Sequence, residues 1–490
     1  MGILSLLLIT PAIGALILAL IPGQDTKQIR LAANIFAALS FLLSCWLVVM
    51  YDIHDGALQF EEQFVLNPKL GTAFALGVDG LSLPMVVLAT LLTCIALLAS
   101  FNITNSVKGY YISILMLEFG MVGVFLSQDW SLFYIFWELT LIPLFILIAR
   151  WGGTRRNVAS INFVLYTMGG SIFMLISLLA ISQYMPPHGG TLMSAMTVAA
   201  QSMPRNEQIW VLMGFLIGFG VKMPIFPLHG WLPLAHVEAP SPVSILLSGI
   251  LLKMGAYGMI RVIVMLPEAT QIMQTLLITL ALIGMIYGGV LAWRQTDMKA
   301  MVAYSSVSHM GIILLDIATL NKTGLIGAVL QMTAHGLVAG AMFLLVGLLY
   351  ERTHTRNILD YSSLVRVMPR FALFMTITLF AAMGLPGTVG FIAELHAIVG
   401  GFQEWGNLMI LLGVSILIGT AYAMRTIGML FTGPVKPQMR DIEDLKLYEL
   451  IAAGVLVAAI VLFGLWPAPL IDLSMATVNI MNDTINQSIR

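Results

Sequence analysis

An ammonium group lies inside an otherwise apolar stretch of the chain, residues 215–232 (FLIGFGVKMPIFPLHGWL). A lysine at mid-bilayer costs about 2.5–3.5 kcal/mol on insertion scales, so Lys222 indicates a functional site if this stretch crosses a membrane. Pro224 and Pro227 follow it and lack the N–H groups that would continue a helix, and His229 comes next. A broken helix at membrane depth persists only where protein or a water-filled cavity satisfies its freed backbone groups. Together these residues predict an ion path.

Two more charged residues fall in the middle of apolar stretches. Glu138, in YIFWELTLIP, needs protein or water around it and a cationic partner, for which Lys222 is the natural candidate. In such a pair the proton affinity of the lysine would change with the separation of the two charges, whereas the alternative is a fixed structural ion pair. Lys253 lies twelve residues into its stretch, too deep for its side chain to reach an interface. A second lysine at this depth favours a proton relay.

Two histidines occur in neighbouring apolar stretches, His309 in YSSVSHM and His335 in QMTAHG. A lone histidine in a helix bundle is more often a packing residue. Imidazole, with a pKa of about 6.5, can also pass protons in either direction, and the nearby Ser and Thr can hold waters. Glu394, eight residues after Pro386, would end the second half of the relay as Glu138 and Lys222 begin the first.

Three further ionisable residues are accessory candidates, and a fourth, Asp316, is not. Glu118 could reach the same network. His229 and His236, near the predicted cytoplasmic end of their segment, could guard proton uptake or simply lie at the interface. Asp316 is expected near the outer end of its helix, facing solvent.

Composition defines the class of protein that must position these residues. Of 490 residues, 59% are apolar and only 10% are charged, with a mean hydropathy of +0.95, whereas soluble proteins carry about a quarter charged residues. The chain is therefore predicted to be dissolved in lipid. A net charge of −1 gives no argument for nucleic-acid binding, and Gly-rich nucleotide motifs are missing. Cys45 and Cys94 form no metal-binding motif, so no cofactor is expected in this chain.

Apolar runs of about 20 residues predict fourteen transmembrane helices. They fall near 3–21, 30–51, 78–101, 110–127, 130–150, 158–184, 208–232, 241–266, 272–293, 299–319, 323–350, 370–400, 406–431 and 447–471. The first reads as a transmembrane helix rather than a removed signal, because it has no basic leader and no cleavage site. An even number of spans places both termini on one side.

Lys and Arg in the connecting loops predict the orientation. Loops after odd-numbered spans hold Lys27, Arg30, Lys108, Arg150, Arg155, Arg156, Arg294, Lys299, Arg352, Arg356, Arg366, Arg370, Lys436, Arg440 and Lys446. Loops after even-numbered spans and the C-terminus hold only Lys69, Arg205, Lys322 and Arg490. Both termini are thus predicted on the outer, periplasmic side. For Arg261 and Arg425, within spans, snorkelling to an interface and a functional role both stay open.

Proline interrupts a charged span twice, at Pro224 and Pro227 in span 7 and at Pro386 in span 12. The two spans are five apart, an odd number, so they would run in opposite directions, as in inverted-topology repeats. The predicted fold is an all-α integral membrane protein with two inverted five-helix repeats. Its parts are N-terminal helices 1–3 (1–107), the first repeat (108–267), the second repeat (268–432), and helix 14 with a tail (433–490).

Residues 78–431 resemble a known family, and six motifs in them show the similarity: FWELTLIPLF, GVKMPIFPLHGWLP, AYSSVSHMGI, QMTAHGL, LYERTHTR and GLPGTVGFIAEL. They resemble the antiporter-like subunits of complex I, and most closely the M-type subunit, the counterpart of mitochondrial subunit four. Glu394 stands where the L- and N-type subunits have a lysine, and the chain ends soon after span 14. Leu234 departs from the family, which commonly has Asp there, and Asp316 matches no family position.

The resemblance implies a proton-translocating subunit in the membrane arm of an NAD(P)H or ferredoxin:quinone oxidoreductase, in a bacterial inner membrane. The implied relay residues are Glu138, Lys222, Lys253, His309, His335 and Glu394. L-type and N-type neighbours are the implied partners, and quinone, flavin and iron–sulfur clusters are expected in partner subunits. The alternatives are a subunit of a cation/proton antiporter, or of a hydrogenase or CO2-uptake relative of complex I.

Overall fold

The computed structural model of the chain describes residues 2–67, 71–186 and 189–489. Lys69 and Arg490, two of the residues in the charge count above, lie outside the described residues. The first half contains helices α1 Ile3–Leu20, α2 Thr26–Met50, α3 Ser82–Leu98, α4 Val107–Leu126, α5 Trp130–Leu139, α6 Leu141–Trp151, α7 Arg156–Ser182, α8 Met193–Gln201, α9 Arg205–Lys222, α10 Trp231–Glu238, α11 Ser241–Leu246 and α12 Leu252–Met265. A π-helical turn, Leu247–Leu251, joins α11 to α12.

The second half contains α13 Pro267–Arg294, α14 Met298–Ala318, α15 Lys322–Thr353, α16 Leu364–Val367, α17 Pro369–Ala382, α18 Val389–Trp405, α19 Ile410–Phe431, α20 Leu447–Leu465 and α21 Ala468–Ile489. Ile358–Asp360, Gly406–Met409 and Pro437–Met439 are short 3-10 turns. The segment Ser241–Met265 and helix α15 are buried inside the bundle over their most apolar windows, so they form its centre.

Within the described residues, eleven helical segments are long and apolar enough to cross a membrane, and α3 and α17 are shorter apolar helices. The multi-helix membrane fold predicted from composition is confirmed. Helix α9 is not among the eleven segments, because it carries three charged residues, Arg205, Glu207 and Lys222. The count of fourteen spans and the arrangement in two inverted repeats stay predictions.

The predicted helix breaks are present at both proline sites. Helix α9 ends at Lys222, and the chain turns until α10 begins at Trp231. Two of the carbonyls there are satisfied, because Gly220 O accepts from Ile225 N at 2.8 Å and Val221 O accepts from the Trp231 indole at 2.8 Å. The second break separates α17 from α18.

One end of the bundle carries two elements that the sequence reading did not include. Strands β1 Gln59–Asn67 and β2 Thr72–Val78 form an antiparallel hairpin. Glu62 on β1 accepts from Leu4 N at 2.8 Å and Ser5 N at 3.1 Å, which satisfies the free N–H groups that begin α1. The predicted tail forms α21, whose Thr477 accepts from Gly80 N at 2.9 Å. We call this end of the bundle, with the hairpin and the start of α1, the hairpin face.

Two ion pairs place further helix ends on the hairpin face. Arg261 Nη1 near the end of α12 lies 2.7 Å from Asp79 Oδ2, which directly follows β2. Arg205 at the start of α9 pairs with Glu268 at the start of α13, at 3.5 Å. Arg261 is thus a buried partner of an acid rather than a snorkelling residue. Arg425, in contrast, donates to the carbonyls of Trp293 and Gln295 at the opposite end of α13.

Candidate functional site

A lysine–histidine contact lies at the centre of the bundle. Lys253 Nζ on α12 is 2.7 Å from His335 Nδ1 on α15, and it donates to Ser248 O at 2.5 Å. Ser248 belongs to the π-helical turn just before Lys253, and such turns occur frequently at functional sites. Both side chains of the contact are buried. The sequence predicted these two residues as separate relay members, and the structure brings them into direct contact.

Serine hydroxyls extend this contact toward α14. Ser306 Oγ lies 3.1 Å from His335 Nε2 and 2.9 Å from Ser248 Oγ. Both imidazole nitrogens of His335 therefore have a polar partner, one an amine and the other a hydroxyl. A ring with two such partners can accept a proton at one nitrogen and release one at the other.

His309 continues the line on the other side of His335. The two rings have centroids 5.4 Å apart, and His309 Nδ1 is 3.1 Å from Gln331 Nε2. Two small cavities, each of about 10 Å³, lie between His309 and Glu394, and one of them also touches His335. This volume is near the minimum for one water. Ser308 and Ser415 border the other cavity with their hydroxyls 3.4 Å apart.

Glu394 is positioned by the second helix break. It lies on the first turns of α18 and is buried, with its carboxylate against the backbone of Gly384. Gly384 and Gly387 have φ of +67° and +93°, a region that residues with a Cβ rarely adopt. A side chain at Gly384 would overlap the carboxylate of Glu394. The break thus gives the acid its space beside the cavities.

Lys222 occupies a separate site at the first helix break. Its Nζ donates to Thr140 Oγ1 at 3.0 Å and lies 4.0 Å from the centroid of the Trp137 ring. Thr140 marks an irregularity between α5 and α6, where Pro143 removes an N–H from the helix ladder. The ammonium is therefore held by a hydroxyl and an aromatic face.

The expected contact between Glu138 and Lys222 is not formed. No ion pair within 4.0 Å joins them in the part of the chain that the structure describes. Glu138 instead lines an otherwise apolar surface groove of about 590 Å³ between α5–α6 and α7, and its Oε1 is buried without a hydrogen-bond partner. The physical reason is local. Trp137 and Thr140 satisfy the ammonium, while Glu138 projects into the groove.

The site residues thus form two clusters. Lys222, Thr140 and Trp137 make one, and the line from Lys253 to Glu394 makes the other. Helices α9 and α12 pack closely between them, because Gly255 lets the backbone of Met223 approach. No described hydrogen bond connects Lys222 to Lys253.

The accessory candidates lie outside both clusters. Glu118 is fully buried on α4, and neither carboxylate oxygen has a hydrogen-bond partner among the described residues. His229 packs on Phe226 and Tyr287. His236 is fully buried and stacked on Phe343, with ring centroids 4.5 Å apart. The interface location considered for His236 is therefore wrong, because its ring is covered on all sides.

Asp316 corrects another expectation. It was predicted to face solvent near the end of its helix, but it is fully buried between α14 and α15. Sequence reasoning also missed Ser306 and Gln331, which contact the two relay histidines. A signal for them existed, since each lies three or four residues from a histidine on the same helix, as neighbours on one helix face do.

Among the described residues, no group of three or more His, Cys, Asp or Glu side chains could hold a metal ion. Buried lysine, histidine and glutamate side chains instead line a path beside two broken helices in a membrane bundle. This arrangement defines an antiporter-like membrane protein.

Residues 127–419 match the family described as NADH:quinone oxidoreductase/Mrp antiporter, transmembrane, and the chain belongs to this family. It is 40% identical to NAD(P)H-quinone oxidoreductase chain 4 1 of Picosynechococcus sp. over 93% of this chain and 87% of the relative. It is 35% identical to NADH-quinone oxidoreductase subunit M of Rickettsia conorii over 98% of both chains. The predicted M-type assignment is confirmed.

Solved structures agree with this assignment. A chain of respiratory complex I from Thermus thermophilus with bound NADH superposes with a TM-score of 0.88 at 30% identity, covering 98% of this chain and 99% of that chain. The Mrp complex from Dietzia sp. shares the fold with a TM-score of 0.84, but at 21% identity and over 55% of that chain. The quinone oxidoreductase interpretation is thus better supported than the alternative of a cation/proton antiporter.

Proposed function

We propose that this chain translocates protons in the membrane arm of a complex I-type NAD(P)H or ferredoxin:quinone oxidoreductase. The relay we propose consists of Glu138, Lys222, Lys253, His335, His309 and Glu394. The observation that carries the proposal is the 2.7 Å contact between Lys253 Nζ and His335 Nδ1, extended by Ser306 and by the cavities toward Glu394. A direct amine–imidazole contact in a buried site permits proton transfer without solvent.

The central step moves a proton from the Lys253 ammonium to His335 Nδ1. The lysine is then neutral, and it keeps one hydrogen bond to Ser248 O. The imidazolium of His335 faces His309 across 5.4 Å between ring centroids, and a cavity of one-water size touches both rings and Glu394. The proton continues through this cavity to His309 and then to Glu394.

The first half of the relay is a switch between Glu138 and Lys222. With the pair open, as here, a hydroxyl and an aromatic face hold the ammonium. Closure would bring the carboxylate to the ammonium and favour the charged form, whereas opening favours release of the proton toward Lys253. Water or a helix movement at the π turn must bridge the two clusters.

Neighbouring subunits supply the signal in this proposal. The relatives named above are subunits of quinone oxidoreductases, which supports membrane-arm neighbours of the L and N types for this chain. The groove beside Glu138 gives such a neighbour access to the switch. We place quinone, flavin and iron–sulfur clusters in other subunits. For the clusters the reason is chemical, since Cys45 and Cys94 do not supply the four thiolates that a cluster needs. Both termini and the hairpin face lie on the periplasmic side of a bacterial inner membrane.

Substitution of Lys253 in the assembled enzyme, reconstituted in lipid vesicles, tests the proposal. We expect Lys253→Met to lower proton pumping per electron strongly. The matched control is Lys299→Met, since Lys299 is also buried but donates to Ala239 O away from the relay. Glu138→Gln and Lys222→Ala test the switch in the same assay. Normal pumping in the Lys253 variant would refute the relay.

A further inference from the structure

Asp316 is a buried acid that the relay described so far does not use. It lies seven residues after His309 on α14, two helical turns nearer the hairpin face and on nearly the same side of the helix. Its carboxylate packs against bare backbone on α15, because a Cβ at Gly327 would lie 3.0 Å from Oδ1 and 3.1 Å from Oδ2. Neither oxygen has a hydrogen-bond partner among the described residues.

A third unpartnered oxygen belongs to Gln331, on the same helix as Gly327. Gln331, one turn along α15 from Gly327, uses its Nε2 to contact His309 Nδ1 at 3.1 Å. Its Oε1 is buried without a hydrogen-bond partner. Buried polar oxygens are normally bonded, and water supplies the bond where protein does not. The described residues supply no partner for these three oxygens, so ordered water in this part of the bundle is the bonding partner we infer for them.

No opposite charge stabilises an Asp316 carboxylate. Among the described residues, no Lys or Arg lies within 4.0 Å of it. From α15 its carboxylate faces the backbone at Gly327, and the Gln274 side chain of α13 bonds the backbone of α14 at Ala318 O. Burying an unpaired charge costs far more than burying the neutral acid, which also has a donor to offer Gln331 or water.

Polar groups also lie around the last turn of α14, at the hairpin face. Gln274 Nε2 donates to Ala318 O, in the last turn of α14, at 3.0 Å and to Glu404 Oε1 at 3.1 Å. Glu404 is exposed. Thr319 and Asn321 follow directly, with Thr319 Oγ1 bonded to Asp316 O at 2.8 Å. Glu404, an acceptor in contact with solvent, is therefore linked through Gln274 to the last turn of the helix that carries the buried acid.

We propose that Asp316 is an outward proton carrier, through which this subunit releases protons at the hairpin face. An O–H bond of its carboxyl breaks as the proton leaves toward Glu404. A new O–H bond then forms with a proton from an N–H of His309, delivered through water beside the Gln331 amide. One proton enters and one leaves, and no electrons move. This inference rests on the relay proposed above, because His309 must supply the proton.

Asp316→Asn in the assembled enzyme tests the inference, because asparagine keeps the shape but cannot lose a proton in this way. We expect a several-fold drop in proton pumping per electron, at unchanged content of the complex. We also expect loss of one infrared C=O band of a buried carboxylic acid. Asp472→Asn, which changes an exposed aspartate on α21, is the matched control and should change neither readout.

The outcomes separate the two proposals. Normal pumping in Asp316→Asn overturns the outward carrier, and if His309→Ala abolishes pumping at the same time, the relay itself stands. Retention of every buried-acid band in Asp316→Asn also overturns the carrier. If the asparagine variant fails to assemble, proton pumping and the infrared acid bands are measured in Asp316→Glu instead. Retained pumping with a shifted acid band supports the carrier, and an unshifted band refutes it.

Discussion

Gly384 offers a sharp test of how the second helix break positions Glu394. Both Gly384 and Gly387 have positive φ, so an alanine at either position pays a similar backbone cost, about 1–2 kcal/mol. Their surroundings differ. An added Cβ at Gly384 overlaps the Glu394 carboxylate, whereas at Gly387 it meets only Leu465 Cδ2 at 3.7 Å. Gly387→Ala is therefore the matched control for Gly384→Ala.

The expected difference comes from the displaced carboxylate. Moving Glu394 off its preferred rotamer adds about 0.5–1.5 kcal/mol, for a total of roughly 1.5–3.5 kcal/mol in Gly384→Ala. The additional loss of stability in Gly384→Ala is small. The expected loss of proton pumping is larger, because the displaced acid no longer borders both cavities that lead to His309. We expect Gly384→Ala to reduce proton pumping per electron several-fold and Gly387→Ala to leave it near normal.

Pumping and electron transfer by the reconstituted enzyme would be measured for both variants, with thermal stability as the second readout. Glu394→Asp in the Gly384→Ala background should restore part of the pumping, because the shorter acid withdraws from the new methyl group. Equal pumping by the two alanine variants would show that the contact between Gly384 and Glu394 does not matter to the relay. The reasoning about the break would then be wrong.

Three further predictions follow from the described contacts. Asp79→Asn and Arg261→Leu should each destabilise the chain by about 3–5 kcal/mol, because each change leaves the other residue of the ion pair without its partner. The double variant should lose less stability than the sum of the two single losses. Additive losses of thermal stability would contradict this. Burial raises the pKa of Glu62, but its hydrogen bonds from Ser5, Gly2 and Leu4 outweigh burial and lower it overall. Its stabilising effect is thus present above its unfolded pKa of about 4.3 and lost as the pH falls through the lower folded value. Glu62→Gln should therefore cost about 1 kcal/mol at neutral pH and nothing in strong acid, as thermal unfolding against pH would reveal. Ser306→Ala should slow pumping without affecting assembly, and an unchanged pumping rate would exclude the hydroxyl from the path.

The open state of the Glu138–Lys222 pair indicates which residue would move in the proposed switch. Among the described residues, Glu138 is the one acid in the groove, and its Oε1 has no hydrogen-bond partner. No hydrogen bond therefore holds that oxygen in its present direction. Lys222, in contrast, is held by two groups. The mobile member of the proposed switch is thus the glutamate on the groove side.

Much of this protein follows from the sequence alone. Its composition requires a membrane environment, because 10% charged residues cannot cover a soluble surface. Pro224, Pro227 and Pro386 require breaks, because proline has no N–H for the helix ladder. The motifs around Glu138, Lys222 and His309 identify the family. Each of these properties depends on residue type and on neighbours along the chain.

The tertiary structure alone decided which of these groups meet. Lys253 and His335 are 82 residues apart and touch, whereas Glu138 and Lys222, which the sequence paired, do not. Asp316 lies near a helix end in the sequence, yet α15 covers it because Gly327 has no side chain to keep it away. Contact, burial and the presence of a partner depend on how helices distant in the chain pack together. The local pattern of residues does not contain that information.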